Sequence, residues 1–588
     1  MKNNACTHCH TEFEITPQDT LLMSILGIST LHTCSHCNFI ERMIWRNERS
    51  FFNSINSARP DEKIISIYHP QSDVVVYDQK SWWGDSWDAK NYGKDIDFSK
   101  PFFEQWKELF YSVPFPNLLN WNSVNSEYCN CTGNSKNCYM CFGGDSSEDC
   151  LYNMYDMFCT QTLDSYWAIK CNLCYELVLA ENCYKVFFGF NVKGCRDSYF
   201  LTDCTNCSDC IGCVGLKNAQ YYILNEKYSK EAYFEKKKEL ALNTFNGLKS
   251  FKDTYKKLVQ IFPQKYARII NSYNTTGDRI QGSKDIANSF DVVTPAENIK
   301  DCNVCGWNLK DTLRSSQVGF GAEMVYNSFG VFSAASKVYC SAYCPSASEV
   351  WYSYNCQAGF NLFGCVGLKK GEYCILNKQY TKEAYLELLP KIKEHMKNMP
   401  YIDKRGKQWN FGDFFPSDFS PFSYNESMAI DIYPKTEEQI LVGGFIFRPR
   451  EKNVYTLTKK VEEISTIDIN TIEPRTEIFE CKNQGEPLNC PGAFRITDYE
   501  LYLYKTLNIP VPEYCFNCRH YERFSHINKY ILTEKQCTCS GLTEKSGLYK
   551  NTSIHHHGES PCMNIFQTTI TDKNAIIYCE KCYQQEVI

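Results

Sequence analysis

Apolar residues recur at helical spacing in two short stretches near the ends of the chain, at residues 21–28 and 499–507. Each stretch follows a Phe-x-Ile-Thr sequence, so Thr16 and Thr497 are the predicted N-caps of two helices. Adding 481 to the residue numbers brings the N-terminal segment onto the C-terminal one without a gap, so that Thr16 falls on Thr497. The two ends of the chain are therefore predicted to carry copies of one small module.

The segments beside these modules have weaker patterns. Residues 64–68 and 74–77 are predicted strands, and residues 102–111 are a predicted helix rich in aromatic side chains. Residues 440–447 form another predicted strand, and residues 459–475 a polar linker. These segments are expected to connect domains.

The middle of the chain alternates apolar and polar residues, with Asn, Asp, Ser and Gly between short apolar runs. A small residue precedes an aromatic one repeatedly, as in Cys138-Tyr139, Cys174-Tyr175 and Cys183-Tyr184. Two-residue alternation predicts strands of about 3 to 5 residues, and the repetition predicts stacked short units. We therefore predict a β-solenoid whose narrow interior holds Cys and Ser, with Tyr packed beside them.

Bound metal is the alternative explanation for the cysteines of this region. It is suggested by a steady three-residue spacing and by one further Cys-x2-Cys pair: Cys204, Cys207, Cys210, Cys213, and Cys302 with Cys305. Interior packing is preferred, because thiols are among the most buried side chains even without a ligand.

The middle region is also duplicated. Gly-Cys-Val-Gly-Leu-Lys occurs at 212–217 and at 364–369, and 16 of the 24 positions in 212–235 match the positions 152 residues later. Each copy runs into Ser229 or Thr381, with Glu two residues on, which marks the start of a helix. Such a helix would cover the open end of each solenoid. The predicted fold class is thus α+β, mainly β, with two helix-capped β-solenoids between zinc ribbons.

Composition restricts the class of protein. The 588 residues are 43% hydrophobic and 22% charged, without a long uncharged apolar run, so disorder and membrane spanning are not expected. A net charge of -6 gives no overall attraction to polyphosphate. The first residues lack the features of a secretory signal, which predicts a cytoplasmic protein with reduced thiols. In so long a chain, its 34 Cys then favour metal sites over a disulfide scaffold.

Two Cys-x2-Cys pairs near the start have the spacing of a tetrahedral Zn²⁺ site. The predicted ligands are Cys6, Cys9, Cys34 and Cys37. A set of three cysteines and one histidine is the alternative, because four histidines lie close by in sequence: His8, His10, His32 and His36.

The second zinc site follows from the same shift of 481 positions. Cys9, Cys34 and Cys37 fall on cysteines, whereas Cys6 falls on Pro487, and Cys481 is the nearest replacement. The predicted ligands are Cys481, Cys490, Cys515 and Cys518.

A third cluster closes the chain, with Cys537, Cys539, Cys579 and Cys582 as its predicted zinc ligands. Cys562 and a run of three histidines, His555, His556 and His557, lie between these cysteines. The run is interpreted as a solvated loop, with exchangeable metal ligands as the alternative. No cluster pairs three ligands with a neighbouring general base. Two to three structural Zn²⁺ ions are therefore predicted.

Together these motifs resemble a group of uncharacterised cysteine-rich bacterial proteins that carry zinc-ribbon modules at both ends and a Cys/Tyr repeat between. The matching stretches cover most of the chain: RNER at 46–49, WWGDSWD at 82–88, DFSKPFFEQ at 97–105, the two copies of GCVGLK, FFPSDFSPFSYNE at 414–426, and YCEKCY at 578–583. The resemblance implies no activity. The terminal modules also resemble the broad class of zinc-ribbon domains, whose members often contact nucleic acid or protein.

These patterns divide the chain into seven predicted parts. They are a zinc ribbon at 1–50, an α/β connecting segment at 51–120, a β-solenoid with capping helices at 121–270, a second capped β-solenoid at 271–397, a connecting segment at 398–475, a related zinc ribbon at 476–530, and a third zinc cluster at 531–588.

The function indicated is that of a non-enzymatic zinc-binding protein that acts as a nucleic-acid- or protein-binding module. Basic residues near the ribbons would contact phosphates: Arg42, Arg46, Arg49, Arg519 and Arg523. Residues 227–268 add 11 Lys+Arg against 4 Asp+Glu.

Two alternatives remain at this point. One is an interaction scaffold that binds no nucleic acid. The other is a β-helical carbohydrate-active enzyme, in which a carboxylate pair would come from Asp145, Glu148, Asp149, Asp197 and Asp203.

Overall fold

The chain begins with an antiparallel hairpin and two helices. In the computed structural model, which describes residues 2–450, 454–485 and 489–587, β1 (Lys2–Ala5) pairs with β2 (Glu12–Ile15), and α1 (Pro17–Leu26) and α2 (Ser35–Met43) follow. Thr16 caps α1 in a reciprocal capping box with Asp19, which confirms the predicted cap. Gly27 ends the helix in the left-handed conformation that glycine favours.

The predicted elements of the first connecting segment are present. The predicted strands and helix correspond to β4 (Lys63–Ser66), β5 (Val76–Tyr77) and α4 (Phe102–Ser112), and Trp106 of the helix is fully buried. The elements are β3 (Phe52–Ile55), β4 (Lys63–Ser66), β5 (Val76–Tyr77), α3 (Gln79–Trp83), α4 (Phe102–Ser112) and β6 (Phe115–Pro116).

After the first connecting segment, the chain forms parallel strands that pair with one another at a constant interval along the sequence. Tyr175 pairs with Phe187, Phe187 with Tyr199, and Tyr199 with Ile211, so successive turns of the chain lie on one another. We call residues 120–227 the first stack. Its strands are β7 (Asn120–Trp121), β8 (Thr132–Gly133), β9 (Leu163–Ile169), β10 (Tyr175–Glu181), β11 (Tyr184–Lys193), β12 (Arg196–Thr202), β13 (Ser208–Val214), β14 (Gln220–Ile223) and β15 (Glu226–Lys227).

The inward positions of the first stack recur at every third residue, and the predicted two-residue alternation is wrong. In the turn at 171–182, four side chains belong to the buried interior: Cys171, Cys174, Leu177 and Ala180. The residue before each following inward position has a positive φ, namely Leu173, Glu176, Leu179 and Asn182. Each such left-handed residue bends the chain, so the turn at 171–182 bends four times, once before each inward side chain.

Small hydrogen-bonding side chains fill this interior. The Cys159 sulfur lies 3.5 Å from the carbonyl oxygen of Met157 and 3.3 Å from that of Ala168. The Cys204 sulfur lies between the carbonyl oxygens of Thr202 and Cys213 in the same way. Interior thiols therefore donate to backbone carbonyls within a turn and between turns, which supports the predicted placement of these cysteines.

Two helices and a short strand lead away from the first stack. They are α5 (Lys230–Glu239), α6 (Phe245–Ile261) and β16 (Gln264–Lys265).

A second stack occupies residues 269–379. Lys284 pairs with Glu297, and Ser348 pairs with Phe360, so the turns are not all of one length. Its strands are β17 (Ile269–Ile270), β18 (Tyr273–Gln281), β19 (Lys284–Val293), β20 (Ala296–Lys300), β21 (Asn303–Gly306), β22 (Leu309–Leu313), β23 (Ser316–Gly319), β24 (Glu323–Tyr326), β25 (Phe329–Val331), β26 (Ser336–Tyr339), β27 (Ser348–Trp351), β28 (Phe360–Phe363), β29 (Glu372–Ile375) and β30 (Lys378–Gln379).

Serine replaces cysteine along one interior row of the second stack. The backbone N–H groups of Ser341 and Ser353 donate to the hydroxyl one turn earlier, on Ser328 and Ser341, at 3.0 Å each. Cys302 and Cys365 belong to the same row, because their backbone N–H groups donate to serine hydroxyls and their thiols donate to carbonyls. Hydroxyl and thiol thus perform one structural role here.

The duplicated sequences end the two stacks in the same way. Asn225 bonds both backbone groups of Val214, and Asn377 bonds both backbone groups of Val366, at 2.8–2.9 Å. The chain then reverses into the antiparallel strands β15 and β30. As predicted, serine and threonine cap the helices that follow, which are α5 and α7 (Lys382–Asn398). Both helices contact the last parallel strand of their stack, so each packs at the C-terminal end of its stack.

The second connecting segment corrects one prediction. Residues 440–447 are not a strand, because α9 (Glu437–Val442) starts at Thr436 in a capping box with Gln439. That Thr-x-x-Gln signal outweighs the β-branched composition. The predicted polar linker contains the short helix α10 (Val461–Ile464).

The elements of this second segment are β31 (Tyr401–Ile402), β32 (Gln408–Trp409), α8 (Met428–Ile432), α9 and α10 (Val461–Ile464). Short 3₁₀ turns lie in both connecting segments, at Pro70–Ser72, Ala89–Tyr92, Ser417–Phe419, Tyr424–Glu426 and Ile469–Thr471.

The C-terminal region holds two further hairpin and helix arrangements. Thr497 caps α11 with a capping box, as predicted. The elements are β33 (Phe479–Glu480), β34 (Ala493–Phe494), α11 (Asp498–Leu507), α12 (Phe516–Ser525), β35 (Thr533–Gln536), β36 (Ile565–Thr568), β37 (Ile577–Tyr578) and α13 (Glu580–Val587). Among the described residues, none of the helices is both long and apolar enough to cross a bilayer.

The terminal modules pack crosswise on the stacks. Helix α1 contacts β20, β22 and β24 of the second stack, and α12 contacts β9 and β10 of the first. The modules that contain α1 and α12 therefore each lie against the stack that is more distant in sequence.

Asp156 provides a pH-dependent test of the first stack. Its carboxylate is buried and accepts hydrogen bonds from the Ser165 hydroxyl and the Ala168 N–H, yet burial raises its pKa to about 7. The unfolded chain would release this proton near the ordinary value of 3.8, so stability from this group falls as pH rises from there to about 7.

We therefore expect the free energy of unfolding of Asp156→Asn, measured relative to that of wild type, to rise by about 3 kcal/mol from pH 5 to pH 8. Denaturant unfolding of both proteins at the two pH values measures the difference. An unchanged difference would show that Asp156 is not held protonated by the fold.

Candidate metal centres

Three hairpins present cysteines in the same place. Cys6 directly follows β1, Cys481 follows β33, and Cys537 follows β35. A second cysteine lies at the third position before the returning strand in each hairpin, and these are Cys9 before β2, Cys490 before β34, and Cys562 before β36. The hairpin geometry thus makes Cys562 the equivalent of Cys9 and Cys490.

A helix supplies the other two thiols at each site. Cys34, Cys515 and Cys579 directly precede α2, α12 and α13. The first turn of the same helices contains Cys37, Cys518 and Cys582. The N-terminus of a helix favours negative charge, which stabilises a thiolate there.

One backbone hydrogen bond recurs at all three sites. The N–H of the first helix cysteine donates to the sulfur of the first hairpin cysteine: Cys34 to Cys6, Cys515 to Cys481, and Cys579 to Cys537, each at 3.3 Å. Cys481 therefore takes the position of Cys6 in the second copy. The longer step from Cys481 to Cys490 only lengthens the hairpin tip.

The sulfur separations match a tetrahedral ion site. In the site that contains Cys481, three sulfur–sulfur distances are 3.6 Å for Cys490–Cys481, 3.8 Å for Cys481–Cys518 and 3.9 Å for Cys515–Cys490. Cys9–Cys34 and Cys562–Cys579 are both 3.9 Å apart. Four sulfurs at about 2.3 Å from a central Zn²⁺ lie about 3.8 Å from one another, whereas a disulfide bond is about 2.05 Å long.

The structure brings together the two predicted sets at the first and second sites. In each set, all four sulfurs lie within 4.8 Å of one another: Cys6, Cys9, Cys34 and Cys37, and Cys481, Cys490, Cys515 and Cys518. Two nearby histidines are engaged elsewhere, His8 with Glu41 at 3.1 Å and His32 with Asp413 at 2.8 Å. The alternative with one histidine ligand is therefore not supported.

The third site differs from its prediction. Cys537, Cys579 and Cys582 group with Cys562, not with Cys539. Cys539 lies instead with His555, His557 and Cys582. Sequence spacing missed Cys562 because the hairpin tip that begins at Cys537 is long, although Cys562 keeps its position relative to the returning strand.

Thiols this close influence one another's acidity. Side-chain hydrogen bonds, that with Cys481 foremost, hold the pKa of Cys490 well below its ordinary value and raise the pKa of Cys515. Neighbouring thiolates repel, so all four ionise together only when a cation neutralises them. The arrangement is chemically suited to a divalent metal ion.

The cysteines of the stacks form no such group. Among residues 2–450, 454–485 and 489–587, sets of three or more ligand atoms within 4.8 Å occur only in the terminal modules. The three-residue spacing of Cys204, Cys207, Cys210 and Cys213 therefore reflects the inward positions of one turn. Metal binding by these thiols is not supported.

The arginines predicted to contact phosphates are internal. Arg42, Arg46, Arg519 and Arg523 are only 1–3% exposed, and the side chain of Arg49 is 8% exposed. Their interactions lie within the protein: Arg519 and Arg523 both pair with Asp164 of the first stack at 2.9 Å, and Arg42 donates to Ser316 of the second. The structure does not support the prediction that these side chains bind nucleic acid, because docking on the stacks buries them.

Comparison with known proteins does not identify a family. No family model matches the chain, and neither does a curated protein. One matching solved structure is described as "putative acetyltransferase from Desulfovibrio desulfuricans G20". It has a TM-score of 0.10 and 10% sequence identity, over 49% of this chain and 87% of that one. A similarity of this size carries no argument about fold or function.

Cys481 allows a direct test of the second site. We expect Cys481→Ser to lower the metal content of the purified chain by one ion, because a hydroxyl is a poor replacement for a thiolate ligand. Inductively coupled plasma mass spectrometry measures the metal content.

Cys302→Ser is the matched control. This thiol lies in the row where serine already performs the same role, so the variant should keep the full metal content. Equal metal content in wild type and Cys481→Ser would contradict the assignment of Cys481.

Proposed function

We propose that the protein is a non-enzymatic zinc-binding scaffold, in which three structural Zn²⁺ ions hold terminal modules against two β-solenoids. The observation that carries the proposal is the repetition of one site plan, with four thiols and sulfur separations of 3.6–3.9 Å. On this view the two stacks are the solenoids, and the hairpin and helix modules are zinc ribbons. The proposed ligands at the third site are Cys537, Cys562, Cys579 and Cys582.

The ligand chemistry favours zinc. Four thiolates in a tetrahedron suit Zn²⁺ and exclude the hard cations that need oxygen ligands. Four protein ligands also leave no coordination position for water or substrate, which is the arrangement of structural sites. The ions would stabilise the modules and take no part in a reaction.

The ions would also maintain the docking of the modules. Arg519 and Arg523 reach Asp164 from α12, the helix whose first turn supplies Cys518. Structural zinc contributes roughly 10 to 16 kcal/mol of apparent binding energy in zinc-finger peptides. Zinc at this helix start would therefore fix the buried arginines on the first stack.

The carboxylates considered for an enzyme have other roles. Asp145 and Asp149 accept hydrogen bonds from asparagine side chains on adjacent turns. Glu148 pairs with Lys136 at 2.7 Å, and Asp203 accepts from an asparagine one turn earlier. These contacts between turns account for four of the five residues, which favours a scaffold over a carbohydrate-active enzyme.

Chelation tests the scaffold. We expect the purified chain to contain at least three zinc ions, and EDTA to expose the modules to trypsin while residues 120–398 stay protected. Metal analysis and mass spectrometry of the fragments are the measurements. A metal-free protein, or an identical fragment pattern with and without EDTA, would contradict the proposal.

A second candidate function is binding of a polyanion such as RNA by α5 and α6. The cations of this surface include four lysines that are exposed and make no ion pair with any described residue: Lys230, Lys238, Lys256 and Lys257. Lys252 and Lys265 do not contribute, because they pair with Glu522 and Glu580. The exposed cations are available to phosphates, unlike the buried arginines.

Filter binding of single-stranded RNA at graded salt concentrations tests this candidate. The variant Lys238→Glu/Lys256→Glu/Lys257→Glu should bind more weakly and show a salt dependence that is less steep by about 0.7 per lost phosphate contact. The control variant carries the same change at three exposed lysines outside this surface: Lys391, Lys397 and Lys404. Equal binding by both variants would favour a scaffold that contacts only protein.

A further inference from the structure

Cys582 belongs to two groups of metal-ligand atoms. Its sulfur lies within 4.8 Å of those of Cys537, Cys562 and Cys579, and also within 4.8 Å of the ligand atoms of Cys539, His555 and His557. The sulfur of Cys582 is therefore shared between two four-atom sets.

The two histidines of the second set face the thiols directly. His555 Nδ1 lies 3.0 Å from the Cys539 sulfur, and His557 Nε2 lies 3.3 Å from the Cys582 sulfur. Both separations are within reach of two ligands on one small cation.

The opposite ring nitrogens are held in the manner of metal-binding histidines. His555 Nε2 lies 3.0 Å from a carboxylate oxygen of Glu586, and His557 Nδ1 donates to the Ser560 carbonyl at 2.5 Å. A carboxylate or carbonyl at the outer nitrogen fixes the ring and the tautomer that leaves the inner nitrogen free to bind a metal.

Glu586 is itself held in place. Its side chain is fully buried and accepts from the Tyr549 hydroxyl at 2.9 Å and the Thr552 N–H at 2.7 Å. Cys539 is fully buried as well, and Asn551 donates to its sulfur at 3.3 Å. A solvated loop, as the sequence suggested for the histidines, would need none of these contacts.

His556 shows the contrast. It lies between the two inward histidines in sequence but is exposed, and its ring and backbone contact Gln585. The alternation of inward, outward and inward histidines is therefore specific.

We propose that Cys539, His555, His557 and Cys582 bind a second Zn²⁺ ion, with the Cys582 thiolate bridging it to the ion of the third site. The inference rests on the zinc site proposed above, which uses Cys582 with three other cysteines. Five thiolates, two neutral imidazoles and two Zn²⁺ ions carry a net charge of -1, less negative than one ion with four thiolates. The pair is structural, since each ion has four protein ligands.

The long hairpin tip explains why a second ion belongs here. In the first two hairpins the paired cysteines lie close in sequence, Cys6 with Cys9 and Cys481 with Cys490, whereas the third hairpin runs from 537 to 562 between its cysteines. Ordering a long tip costs more conformational entropy than ordering a short one. A second ion bound by three residues of this tip would fix it on the first ion's site.

Native mass spectrometry of the full-length zinc-loaded chain tests the proposal. We expect four zinc ions in wild type, three in His555→Ala/His557→Ala, and four in the control His556→Ala. Wild type with three ions and an unchanged double variant would overturn the bridged pair while leaving the proposed scaffold intact. Wild type without zinc would overturn both.

Cadmium NMR tests the same proposal on the wild-type chain, so the result does not depend on whether a variant folds. In the wild-type chain loaded with ¹¹³Cd²⁺, two resonances should show mutual scalar coupling through the shared sulfur. Four uncoupled resonances would contradict the bridge, and three resonances would contradict the second ion.

Discussion

Repulsion among closely placed sulfurs is the constraint on which the terminal modules depend. Four thiolates within 4.8 Å cannot coexist without a neutralising cation. The hairpin places two of them after one strand and before the next, and the helix places the other two at its positive end. A divalent ion would thus fix the angle between hairpin and helix, and the helix in turn presents its buried side chains to a stack.

A different constraint shapes the two stacks. The buried cluster inside the first stack consists of Cys, Ala, Val and Leu side chains, and serine hydroxyls line one row of the second stack. Serine and cysteine occupy equivalent places because both donate to the carbonyl of the second residue before them, as Ser328 and Cys365 do. The large aromatic residues lie outside this interior. Tyr152 and Tyr155, for example, bond carboxylates of other segments, so the outer surface of the first stack becomes part of a second core.

Local signals in the sequence were sufficient where the chemistry is local. The caps at Thr16 and Thr497 and the helix starts at Ser229 and Thr381 depend on neighbours within a few residues, and all are present. The place of Cys481 could also be inferred, because the shift of 481 positions left one ligand to find. The period of three was missed because bulky residues such as Tyr152 and Trp167 adopt the left-handed conformation, which their residue types do not indicate.

Contacts between segments that are distant along the chain could not be predicted from the sequence. Arg42 and Arg523 looked like surface cations in sequence, yet each is buried by a stack that is distant along the chain. Cys562 and the inward histidines come close to the thiols of α13 because a long hairpin tip folds back on that helix. The burial of the arginines and the inward position of the histidines have no signature in residue spacing, since both depend on which surfaces meet, whereas Cys562 keeps the third position before its strand.

Anomalous diffraction at the zinc absorption edge, from crystals of the protein purified without added chelator, tests the central claim most directly. The account predicts an anomalous peak at the centre of each group of four sulfurs, with two peaks beside Cys582. Thiol pairs joined as disulfides at about 2.05 Å, without anomalous density between them, would contradict it.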